Sequence, residues 1–252
     1  MIRCRILFLF VLILLFCIDS KIECQSLSGF SGYFNIPSAD LSKDKSFKFG
    51  YNQLNQKANF YQGKYRLDVG YVNIGYLPIL EVGIRITRPR DFKTEKKTTW
   101  DRMIALRSQM LKEKKYFPAV VIGFQGFYTS TQSASFFNST YLVMIKNFPI
   151  KNIFKNIGLT LGFGSDIIPA TTYQYIGLFG GVKITPHHIK WLDLMVDYDA
   201  KYWNAGTRIT ILNQFNMLAG LECLKYFSWG VSYQFLLPEI LYYVVFIVKR
   251  SP

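Results

Sequence analysis

The chain has 252 residues, a formal net charge of +14 and aromatic side chains at 17% of its positions. Cys4, Cys17 and Cys24 crowd near the start and leave Cys223 alone, which excludes a disulfide framework or a cysteine metal site. The positive charge is spread through turn-like segments behind an export leader, and this argues against a nucleic-acid partner.

Residues 1–24 read as a Sec signal peptide. Arg3 and Arg5 form its basic region and 6–18 its unbroken apolar core. That core is shorter than the ~20 residues a membrane-crossing helix needs. Cleavage before Gln25 is expected, since Glu23 makes a poor signal for lipidation of Cys24. The remainder, 25–252, reads as one domain with no linker, repeat array or low-complexity tract.

Residues 29–40 (GFSGYFNIPSAD) are rich in turn formers and carry Pro37, so they predict a structured leading segment and not a strand. Strands are expected at 46–53, 65–74 and 79–87, the last two joined as a hairpin around 75–78. In the third, Leu80, Val82, Ile84 and Ile86 share one face, while Glu81, Gly83 and Arg85 share the other. A charged loop, 88–99, follows. Residues 101–115 fit either a helix face or a strand, and a strand ending near Gln109 is preferred. Further strands are expected at 119–127, 141–148, 158–163, 175–184, 192–199, 202–211, 215–222, 229–235 and 241–248.

Alternating segments of roughly ten residues behind an export leader are the signature of an outer-membrane β-barrel. The expected fold is therefore an all-β, antiparallel up-and-down barrel. Thirteen segments alternate, and bacterial barrels prefer an even number. Twelve strands are expected, with one segment in a loop or plug. The aromatic excess suits girdles where hydrocarbon meets water.

In such a barrel charged side chains point away from lipid. Glu81, Arg85, Asp197, Asp199, Arg208 and Glu222 are thus expected to form a lumen-facing polar network, with Asp197 and Asp199 paired to Lys201, Arg208 or Arg85. Asp197 and Asp199 share a strand face, and two carboxylates about 5–9 Å apart would suit a glycosidase. Internal ion pairing is the favoured use. His187 and His188 follow Pro186 in an apparent turn and lack a further ligand for a metal. No Gly-x-Ser-x-Gly elbow supports a serine hydrolase around His188 and Asp193. The glycines at 162, 164, 177, 180, 181, 206, 220 and 230 fit no phosphate loop and read as room for bulky neighbours. Cys223 reads as a small buried hydrophobe within a strand.

Several stretches, in order, resemble the YjbH-type exopolysaccharide biosynthesis family of outer-membrane proteins. They begin with 29–39 (GFSGYFNIPSA) and 77–85 (LPILEVGIR). Asp101-Arg102 through Leu106, Lys115-Tyr116-Phe117-Pro118-Ala119 and Gly123-Phe124 follow. Tyr141-Leu142-Val143 with Lys146 comes next, then Phe179-Gly180-Gly181-Val182, Asp197-Tyr198-Asp199 and Asn204-Ala205-Gly206. The sequence departs from the family at Gln125-Gly126-Phe127-Tyr128-Thr129, where an acidic residue and a Gly-Thr pair are expected, in being short beside the larger members, and in ending Lys249-Arg250-Ser251-Pro252 without a terminal aromatic. The resemblance implies a bacterial outer-membrane protein that assists exopolysaccharide biosynthesis or export and carries no catalytic residue or cofactor. The spread positive charge suits outer-membrane lipid, lipopolysaccharide and acidic exopolysaccharide as partners, and the resemblance adds export-machinery proteins. An envelope enzyme acting on lipid or glycan, and a porin-like channel, are the alternatives.

Overall fold

The structure, a computed structural model, describes residues 25–57, 66–90, 101–128, 138–150, 154–170 and 172–237. Period-2 alternation across the chain produces twelve strands: β1 (Ser46–Leu54), β2 (Leu67–Tyr76), β3 (Leu80–Pro89), β4 (Asp101–Leu111), β5 (Ala119–Tyr128), β6 (Ser139–Phe148), β7 (Phe154–Ser165), β8 (Gly177–Pro186), β9 (Leu192–Tyr198), β10 (Trp203–Ile211), β11 (Phe215–Glu222) and β12 (Tyr226–Leu236). Each pairs antiparallel with its neighbour in sequence, and β1 pairs with β12, so the sheet closes into a barrel. Closure leaves no edge strand open to foreign pairing. Among the described residues no helix is long and apolar enough to cross a membrane. The 241–248 segment lies outside the described residues.

The two faces are chemically opposite. Ile84, Leu142, Leu161, Phe163, Leu194, Val196 and Met217 point outward and are exposed. Lys48, Asn52, Asn73, Arg107, Asn204, Asn216 and Gln234 point inward and are buried. A soluble sandwich would show the reverse. Where β1 meets β12, the outward face carries paired rings: Phe47 with Phe235 at 5.3 Å, Phe49 with Tyr233 at 5.8 Å and Tyr51 with Trp229 at 5.8 Å between centroids. The first two pairs sit directly opposite in register, and Tyr51 meets Trp229 on the diagonal, Trp229 being opposite Gln53. Their polar handles are satisfied within the sheet: Tyr51 donates to Asp68, Trp229 to Gln53 and Tyr233 to Gln214.

The barrel's ends differ. At one, the connections are 77–79, 112–118, 149–153, 187–191 and 212–214. At the other, four are longer, 55–66, 90–100, 129–138 and 166–176, and two are tight, 199–202 and 223–225. Cys223 belongs to the last of these, with left-handed backbone at both Cys223 and Leu224 (φ 54° and 53°). It is a half-buried turn residue, not a strand position. Two successive left-handed residues tie the right-twisted strands of a hairpin, and the strand must therefore stop at Glu222.

Between β4 and β5 the register skips: Ile104 faces Tyr128 while Ala105 faces Gln125. Gly126 supplies the positive φ (71°) of this bulge. The family departure at Gln125-Gly126 is thus a bend in the wall.

Candidate functional site: the lumen and its plug

The leading segment does not lie across an outer surface. Every residue from 25 to 39 is buried, and the segment fills the barrel interior as a plug. Its apolar side chains, Leu27, Phe30, Tyr33, Phe34 and Ile36, are wholly enclosed. Lumen-facing glycines make the space. A Cβ at Gly206 would stand 2.2 Å from the Phe34 ring, and one at Gly83 would stand 2.2 Å from the Phe30 ring. Around Gln25, Asn52, Arg208 and Asn216 only about 10 Å³ stays empty, no more than one water requires.

A plug without its own helix or sheet leaves many backbone groups to satisfy inside a barrel. The wall supplies the partners. Arg208 donates through Nη2 to the carbonyls of Gln25 (2.8 Å), Gly32 (3.0 Å) and Tyr33 (3.2 Å). Arg85 donates to the Ser28 carbonyl at 3.0 Å and to Thr87 at 3.2 Å. Arg107 reaches the carbonyls of Ser38 and Asp40. Asn52 donates to Leu27 O at 2.8 Å, and Tyr175 to the Asn35 carbonyl.

The carboxylates do the complementary work. Glu81 accepts from Ser42 N (2.9 Å), Ser31 Oγ (2.9 Å) and Ser31 N (3.3 Å). Asp197 accepts from Asn35 N at 2.9 Å and from Asn204 at 3.1 Å. Asp199 accepts from the Asn35 side chain at 2.8 Å and from the backbone N–H groups of Lys201 and Tyr202. Cations therefore hold carbonyls and anions hold amides along one segment. Such charge-assisted bonds are roughly twice as strong as neutral ones.

Five of the six sequence-predicted residues, Glu81, Arg85, Asp197, Arg208 and Glu222, are buried and face inward. Asp199 lies just past the end of β9, half-buried at the rim. Their pairing differs from expectation. Asp197 and Asp199 take amide donors from Asn35 and Asn204, and Asp199 meets Lys201 through backbone N–H alone. Arg208 lies instead 3.4 Å from Asp193, four residues before Asp197 on β9. The reason is reach: Arg208 and Asp193 are opposite in the β9–β10 register, and Asp197 is opposite Asn204. Glu222 stands apart from the plug and accepts from Ser228 on β12.

Arg107, Lys48, Asn73 and Lys183, which the sequence did not single out, also serve the lumen, as does Asp193, considered there only beside His188. Lys183 reaches Asp40 at 3.6 Å and lies 5.5 Å over the Tyr33 ring. Arg107 was marked by its place among Met103 and Ala105, opposite outward Ile104 and Leu106. His187 and His188 occupy an exposed turn with their rings edge to face at 5.4 Å. Among the described residues no group of His, Cys, Asp or Glu is arranged to hold a metal.

These features define a closed twelve-stranded antiparallel barrel plugged by its own N-terminal segment. Residues 24–173, more than half of the chain, match the family described as exopolysaccharide biosynthesis protein YbjH. The chain belongs to this YjbH family, and the matched span takes in the plug and β1–β7. The likeness read at 179–182, 197–199 and 204–206 lies beyond it. No curated protein matches the chain.

Proposed function

We propose that the protein is an outer-membrane β-barrel that assists exopolysaccharide biosynthesis or export without catalysing a reaction itself. Three things support the membrane location: the leader-like 1–24, the outward apolar band and the even strand number. The family supports the polysaccharide. The observation that carries the accessory role is the plug. Its backbone occupies the carboxylates and guanidinium groups that a glycan-cleaving or glycan-binding lumen would have to present. Asp197 and Asp199 hold Asn35 and Asn204, so neither stands ready as a glycosidase acid or nucleophile. The working surfaces are then the long loops and the rims, with export-machinery proteins, lipopolysaccharide and acidic polysaccharide as partners and no cofactor.

The test combines location with output. Outer-membrane fractionation and heat-modifiable migration on semi-native gels are expected to place the folded barrel. A deletion strain is expected to lose extracellular polysaccharide and to regain it with an Asp197→Asn variant. A soluble periplasmic protein without the shift would overturn the barrel in the membrane. Failure of a stably folded Asp197→Asn variant to restore polymer, together with hydrolysis of an envelope substrate by the wild type, would favour the enzyme.

A further inference from the structure

The β4–β5 connection does not simply turn; it leans over the outer face of the barrel. Glu113 accepts from Asn147 N and Asn147 Nδ2, each at 2.8 Å, and lies 3.2 Å from Lys146 Nζ. Lys146, outward on β6, also donates to the carbonyls of Lys114 and Phe117. These bonds skip over β5 and brace the turn against β6. Beneath the overhang runs a groove of about 450 Å³, floored by Met144, Leu159 and Leu161 and walled by Tyr116 and Phe148. All five side chains are exposed.

The rim is cationic. The connection 112–118 reads Lys-Glu-Lys-Lys-Tyr-Phe-Pro, and its single carboxylate, Glu113, is taken up by Lys146 and Asn147. Lys112, Lys114 and Lys115 therefore bring a net positive field to the head of an apolar groove. Lys115 lies 5.2 Å over the Tyr116 ring, so the aromatic wall and the charge are one unit. An apolar trough with lysines and a tyrosine at one end matches an amphiphile with an anionic head and a long hydrocarbon tail.

We infer that this groove binds one anionic diacyl phospholipid, with an acyl chain on Met144, Leu159 and Leu161 and the phosphate against Lys115 and its neighbours. The inference rests on the membrane location proposed above. It commits to phospholipid over lipopolysaccharide because the groove lies at the short-turn end. In outer-membrane barrels that end faces the periplasm, where the leaflet is built of phospholipid.

The experiment is native mass spectrometry of the full mature chain in detergent, titrated separately with phosphatidylglycerol, phosphatidylcholine and rough lipopolysaccharide. Phosphatidylglycerol is expected to bind in preference to phosphatidylcholine. Replacing Lys112, Lys114 and Lys115 by Gln is expected to weaken it about fivefold for each lysine. Leu161→Trp, which fills the floor and leaves the charge intact, is expected to weaken both phospholipids. Lys201→Gln, at the opposite end, is expected to change nothing.

Equal binding of the two phospholipids, preference for lipopolysaccharide, or equal losses in the Lys201 control would each overturn the inference. Every variant is also run for the heat-dependent gel shift. Its absence in the wild type would sink the membrane barrel and this inference together, whereas a retained shift without lipid selectivity would sink only this inference.

Discussion

Arg107 and Glu81 face each other across β3 and β4, Nη1 3.3 Å from Oε2, with neither side chain touching solvent. The pair is also the knot between wall and plug, because the same carboxylate takes the donors of Ser31 and Ser42. Removing one partner of a buried pair strands the other charge, at a cost of about 3–5 kcal/mol. Arg107→Met is expected to destabilise by that order, and Glu81→Gln by less, since the amide oxygen still accepts from the plug. In the double variant the costs should fall short of their sum by about 0.5–3 kcal/mol. Urea unfolding in detergent, followed by tryptophan fluorescence, gives the cycle. Strict additivity would mean that the two groups do not interact.

The plug's backbone bonds are made within itself or to wall side chains, and the strand ladder closes without it, so its removal should leave the barrel standing and its lumen open. A variant lacking 25–42 is expected to show stepwise ion conductance in planar bilayers, while the chain that retains the segment stays closed. The exposed lumen would be lined by Arg85, Arg107 and Arg208 against Glu81, Asp193, Asp197 and Glu222. A silent but folded deletion variant would show that something other than this segment closes the pore.

The aromatic ladder outside β1 and β12 makes a separate claim about closure. Tilted ring pairs add about 0.5–1.5 kcal/mol beyond the area they cover. Phe47→Ala and Phe235→Ala are expected to couple by that amount in a double-mutant cycle. Phe47→Ala combined with Leu161→Ala, on a distant part of the wall, is expected to be additive. The midpoint of the heat-dependent gel shift measures both. Uncoupled seam rings would leave the backbone ladder as the sole closing force.

The wall of this barrel was legible because period-2 alternation is a local property. Leu80 to Ile86 against Glu81 to Arg85 already states which face is wet. Even Arg107 carried its signal in the alternation with Ile104 and Leu106. The plug was not legible as a plug. The partners of Asn35 and Gly32 lie on β9 and β10, far along the chain, and nothing local in GFSGYFNIPSAD distinguishes a surface loop from a lumen filler. The partners of Asp197 and Arg208 were misassigned for a related reason: opposite charges were matched by type, whereas the hydrogen-bond register matches them by position. Turn chemistry failed at Cys223-Leu224, where a left-handed pair is built without Gly, Asn or Asp.

That turn yields a pH prediction. Burial first, and then the nearby Glu222 carboxylate, push the Cys223 thiol up from about 9 to about 11. The thiolate is the reactive species, and each unit of elevation removes tenfold of it at a fixed pH below both values. Since the shift is upward, the loss applies at neutral pH and vanishes above about 11. Cys223 in the folded barrel is therefore expected to react with a maleimide about a hundredfold more slowly than in urea at pH 7.5, where unfolding restores the ordinary thiol. The folded rate should climb about tenfold per pH unit over the accessible range, and Glu222→Gln should raise it at a given pH. Steric shielding predicts something different: a slow rate in the folded chain that Glu222→Gln leaves unchanged. Time courses of labelling, read by mass shift at several pH values, separate the two.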